Sequence, residues 1–130
     1  MCIRDSDSIA EFVCPLCATI HLSGSTITLT SCSIAVMMMM GQPVTFGKMF
    51  PFILMLGVTM VAAPGVPGGA VMAALGILQS MLGFDETMQG LMIALYIAQD
   101  SFGTACNVTG DGAIAVLMDA ITGKKNKAAV

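Results

Sequence analysis

The sequence predicts an all-α integral membrane fold: a broken transmembrane helix, a re-entrant helical hairpin and a final transmembrane helix. Three observations carry this expectation. Apolar residues make up 56% of the 130 and charged residues only 10%, against roughly 45–50% and 25% in soluble domains; the mean hydropathy is +0.89. The charges cluster at the edges: between residues 12 and 83 the one charged side chain is Lys48, with His21 as a conditional second, an integral-membrane pattern. Finally, clusters of glycine and proline interrupt the apolar blocks where a helix cannot continue.

The opening residues, Met1-Cys2-Ile3-Arg4-Asp5-Ser6, are too short and too charged for a signal peptide. They read as non-native sequence fused to a truncated reading frame, with residues 1–11 outside the membrane core. The first apolar block covers residues 12–40, long enough to cross about 30 Å of hydrocarbon at about 1.5 Å per residue. Its middle, Thr19-Ile20-His21-Leu22-Ser23-Gly24-Ser25-Thr26, has two readings. The helix unwinds there and turns carbonyls toward a cavity, or it stays helical with hydroxyls bonded back to its own carbonyls. Met37 to Met40 read as packing.

Gly41-Gln42-Pro43 ends this block, and a second occupies residues 44–82. Its centre, Pro64-Gly65-Val66-Pro67-Gly68-Gly69, splits it into two arms too short for two comfortable crossings. A re-entrant hairpin fits such arms, and its tip exposes backbone N–H groups suited to a carboxylate; two short spans joined by an ordinary loop are the alternative. Asp85, Glu86 and Thr87 suit a helix start, and the last transmembrane helix is expected over residues 86–122. Gly123 closes the 12–123 core. Lys124, Lys125 and Lys127 follow in a tail, 124–130, which the positive-inside rule puts in the cytoplasm of a multi-pass protein of the inner membrane.

That last helix carries two acids, Asp100 and Asp111, with Thr104 and Asn107 between them. Steps of four, three and four put all four on one helical face. The opposite face, with Leu95, Ile97, Phe102, Ala105, Ile114 and Leu117, is apolar. A carboxylate at membrane depth costs roughly 2.5–3.5 kcal/mol on insertion scales, so such a stripe faces a protein interior that binds ions or a charged solute; a solvated face is the bland reading. One tyrosine, no tryptophan and no basic patch leave nothing for nucleic acid. The five cysteines include Cys14-Pro15-Leu16-Cys17, but no second pair follows and an odd count gives no disulfide framework. The C-x-x-C spacing reads as small residues in a helix. No nucleophile and base stand at catalytic spacing, so the chain does not read as an enzyme.

Three segments together resemble one family. Pro15-Leu16-Cys17-Ala18-Thr19-Ile20-His21-Leu22-Ser23-Gly24-Ser25 is similar to P-L-G-A-T-I-N-M-D-G-T of the dicarboxylate/amino acid:cation symporters, the glutamate transporter family. Gly65-Val66-Pro67-Gly68-Gly69 resembles that family's second hairpin tip, and Asp100 with Asn107-Val108-Thr109-Gly110-Asp111 resembles its last transmembrane helix. The likeness covers nearly everything after residue 11. It corresponds to the C-terminal part of the family, without the earlier helices, first hairpin and trimerisation scaffold; the full-length protein is expected to be a homotrimer.

The resemblance implies the roles. Asp100 holds the substrate ammonium, and Asn107, Gly103, Ser25, Val66 and Gly69 complete the substrate set. Asp111, Asn107, Cys17, Thr19 and Ala63 form the sodium set, several through backbone carbonyls, and residues 63–69 are the gate. Hard oxygen ligands of this kind suit sodium, which is transported and not retained. The departures narrow the substrate. Acidic-substrate members have arginine where this chain has Gly103, and Gln99-Asp100-Ser101 is similar to bacterial serine/threonine members. Sodium-coupled symport of small neutral amino acids is therefore expected, with acidic amino acids or dicarboxylates, or a non-transporting remnant, as alternatives. His21 and Ser23 replace an asparagine and an aspartate of a further sodium site, which leaves the ion count open; His21 is either structural or a proton-coupling group.

Overall fold

The structure, a computed structural model, describes residues 7–128, with side chains over 8–122. The expectations about residues 1–6 and about the side chains of Lys124, Lys125 and Lys127 fall outside the described residues. All regular structure among them is helical: α1 Asp7–Ile20, α2 Ser23–Met39, α3 Phe46–Met60, α4 Gly69–Ile77 running into a π-helical turn Leu78–Leu82, and α5 Glu86–Ala128.

Between α1 and α2 only His21 and Leu22 leave the helix. The interruption is narrow, bridged by His21 N–H to the Cys17 carbonyl (2.8 Å) and Thr26 N–H to the Leu22 carbonyl (2.9 Å). The hydroxyls of Thr19, Thr26 and Thr30 meanwhile bond back to Leu16, Leu22 and Thr26 carbonyls at 2.8 Å each. By length and composition the run Ser8–Met39 is long and apolar enough to cross a membrane. It stops at Gly41, whose left-handed φ of +66° lets Gln42 N–H reach the Met37 carbonyl at 2.8 Å and Gly41 N–H reach that of Met38 at 3.1 Å, satisfying carbonyls that the helix leaves open.

The arms α3 and α4 run back along each other. Lys48, in the first turn of α3, donates to the Leu82 carbonyl at the far end of the second arm (2.9 Å). The π-helical turn ends where Phe84 N–H reaches back six residues to the Leu78 carbonyl (3.2 Å), with both side chains buried. α5 starts on an N-cap: Asp85 Oδ1 accepts Met88 N–H at 2.8 Å.

One core joins four helices through Leu29, Val36 and Met37 of α2, Phe52 and Leu56 of α3, Val71 and Ala74 of α4, and Met88, Met92 and Tyr96 of α5. A smaller one, Val13, Cys17 and Ala115, joins α1 to α5. Large apolar side chains face outward on every helix but the core side, among them Phe46 (80% exposed) and Phe102 (72%). Exposed apolar area on this scale calls for lipid or a partner.

Candidate functional site

Two helices begin in the middle of the bundle, and α5 caps both. α2 has no side-chain cap of its own at Leu22. Asn107 supplies one from across the bundle: its Oδ1 accepts Gly24 N–H (2.8 Å) and Ser25 N–H (3.4 Å), and its Nδ2 donates to Ser25 Oγ (2.9 Å). These are N–H groups of the first turn, which have no partner within their own helix. α4 likewise has no side-chain cap of its own at Gly68. There Asp100 Oδ2 accepts Gly68 N–H at 3.0 Å, a carboxylate at the positive end of a helix dipole. Positions 100 and 107 are two turns apart on one face, so the stripe read from the sequence is the edge on which both helix starts converge.

Glycines permit this approach. The backbones of Gly24 and Gly103 meet where α2 crosses α5: a Cβ on Gly24 would collide with the Gly103 carbonyl and come within 2.6 Å of Cys106 Cβ. Gly68 has φ +74°, the left-handed region in which side chains are costly. A Cβ on Gly69 would strike the Pro64 carbonyl.

The two capped starts and the 61–68 loop border a half-open cavity of about 540 Å³, within the size range of small-molecule sites. Its wall includes Asp100, Thr104, Asn107 and Asp111 of α5, Ser25 and His21, and Ala63, Pro64 and Val66 of the loop. His21 Nδ1 lies 2.8 Å from Asp111 Oδ1, with the imidazole so close over Gly110 that a side chain there would meet it. Among the described residues no arginine or lysine lines the cavity.

Of the residues expected at the site, Asp100, Asn107, Asp111, Ser25, Ala63, Val66 and Thr19 share this wall, although the Thr19 hydroxyl is bonded back to Leu16. Cys17, Gly69 and Gly103 do not line it. Cys17 is buried against α5, with its carbonyl accepting His21 N–H; Gly69 is tucked beneath Pro64, and Gly103 belongs to the helix crossing. Ser23 is exposed. The cavity also contains Tyr96, which the sequence reading did not select. Its signal was there: it precedes Asp100 by four residues and extends the stripe by one turn.

A family model, that of the sodium:dicarboxylate symporter family, matches residues 3–121. No curated protein and no solved structure matches the chain.

Proposed function

The chain belongs to the sodium:dicarboxylate symporter family, and from that membership we propose that its cavity binds a small neutral amino acid together with sodium for symport across a membrane. Membership makes it a membrane protein of a family of sodium-coupled symporters of dicarboxylates and amino acids. The observation that carries the finer reading is the charge on the cavity wall: two carboxylates, Asp100 and Asp111, one imidazole, and no lysine or arginine among the described residues.

Asp100 offers a negative group for the solute ammonium, beside the hairpin-tip N–H of Gly68. The tip and Asn107 offer polar partners for the solute carboxylate. Asp111 is the hard anionic oxygen for sodium, sharing its carboxylate with His21. A neutral amino acid needs nothing more. Aspartate or glutamate brings a second carboxylate, which finds two acids and no cation. An uncompensated buried charge costs several kcal/mol, roughly a hundredfold or more in affinity. Gly103 packs at a helix crossing, so the wall as a whole, and not that one position, disfavours a second carboxylate.

Binding of labelled L-serine to the chain in lipid nanodiscs, with unlabelled competitors, tests this. Alanine and threonine are expected to compete well, and aspartate at least a hundredfold more weakly. Equal competition by aspartate supports the acidic-substrate alternative, and absence of any sodium-dependent binding supports a remnant that does not transport.

A further inference from the structure

Tyr96 lies one turn before Asp100 on α5 and contributes to the cavity wall. It is 1% exposed. Its hydroxyl is buried with no partner at good hydrogen-bond geometry, although Ser25 and Asp100 stand within interaction range of it. A buried phenol normally finds a partner for its O–H. Each neighbour already holds one partner that sets its orientation: Asp100 Oδ2 accepts Gly68 N–H from the hairpin tip at 3.0 Å, and Ser25 Oγ accepts Asn107 Nδ2 at 2.9 Å. With the tip seated on Asp100, a strong donor is left unused beside a carboxylate.

We infer that Tyr96 is a positioning residue for Asp100, donating its hydroxyl to that carboxylate when a solute ammonium displaces the Gly68 N–H. The inference rests on the reading of the cavity as an amino-acid site. It makes the tip and the solute competitors for one carboxylate. The ammonium takes the oxygen that Gly68 held, the carboxylate turns, and Tyr96 holds it in the new orientation. The missing hydrogen bond of the free state is then made in the bound state, so the hydroxyl favours binding and contributes nothing to the fold without solute.

The chain offers a direct readout, because Tyr96 is its only tyrosine and it has no tryptophan. Ultraviolet emission therefore reports this side chain alone, and donation of a phenol proton to a carboxylate quenches it. With sodium present, L-serine added to the chain in micelles of a non-aromatic detergent, which bring no other tyrosine or tryptophan, is expected to lower the emission saturably, with the half-saturation found from labelled serine. Tyr96→Phe is expected to bind serine about tenfold more weakly, the loss of one hydrogen bond to a charged group. It should melt at no lower temperature than the parent chain. A merely structural tyrosine would lose stability and affinity together and leave the emission unmoved. Serine binding with unchanged emission, or equal affinity in Tyr96→Phe, overturns the inference while the amino-acid site stands. If serine does not bind at all, the reading of the cavity fails and this inference falls with it.

Discussion

At the scale of single residues, the site is held by a few contacts made across the bundle. Asn107 is the clearest case, since one side chain satisfies two backbone N–H groups of α2 and one hydroxyl. Asn107→Leu keeps the branched shape and removes all three hydrogen bonds. Leaving a buried donor unsatisfied costs about 1–3 kcal/mol, so the thermal midpoint in detergent is expected to fall, together with serine affinity; an unchanged midpoint would show that Asn107 does not brace α2. The helix crossing gives the second expectation. Gly24→Ala forces a methyl into the Gly103 carbonyl and the Cys106 side chain, an overpacking that costs about 1–3 kcal/mol, read as a lower unfolding midpoint. Gly103→Arg is expected to disrupt the same crossing and lower stability without creating an acidic-substrate preference, which competition binding checks. Spacing made the four-residue stripe legible in the sequence. The pairing of His21 with Asp111, 90 residues apart, was not, because sequence spacing carries no information across separate helices. Gly103 lies at the helix crossing, a position equally hard to read from spacing: a glycine beside a polar stripe reads equally well as a gap in a pocket or as a close backbone contact.

At the scale of elements, the breaks were the most legible part. Gly41 and the Pro64–Gly69 cluster mark chain reversals because proline lacks an N–H and glycine alone tolerates positive φ at low cost; Gly41 and Gly68 adopt it here. The width of the first break was less legible. Ser/Thr side chains that bond back to helix carbonyls kept α1 and α2 helical up to a two-residue gap, and that competition is settled by contacts with α5. The π-helical turn Leu78–Leu82 had no sequence signal that periodicity could register. At the tip, Gly68→Ala has room for its methyl group, with Ile97 at 3.6 Å, but the left-handed backbone adds about 1–2 kcal/mol. Hydrogen exchange is expected to quicken at residues 65–69 while the amides of α5 keep their protection. Equal protection at the tip would mean that the glycine conformation does not hold the loop against Asp100.

At the scale of the whole molecule, an apolar exterior surrounds a polar seam. Two helix starts meet an acidic face of a third helix, and the loop between the hairpin arms closes one side. This arrangement brings backbone N–H groups, amide and carboxylate oxygens into one cavity without any cation from lysine or arginine among the described residues, which suits a solute that carries its own positive charge and an ion that carries another. The proposed function has the cavity bind amino acid and sodium together, with Asp111 as the anionic ligand of the ion. Labelled serine binding to the chain in nanodiscs, titrated with sodium at constant ionic strength, measures that coupling. Serine binding is expected to rise saturably with sodium, and Asp111→Asn to move the half-saturating sodium concentration upward about tenfold or more, equivalent to roughly 1.4 kcal/mol. Serine binding that ignores sodium, or an Asp111→Asn curve that overlays the parent's, would contradict the account.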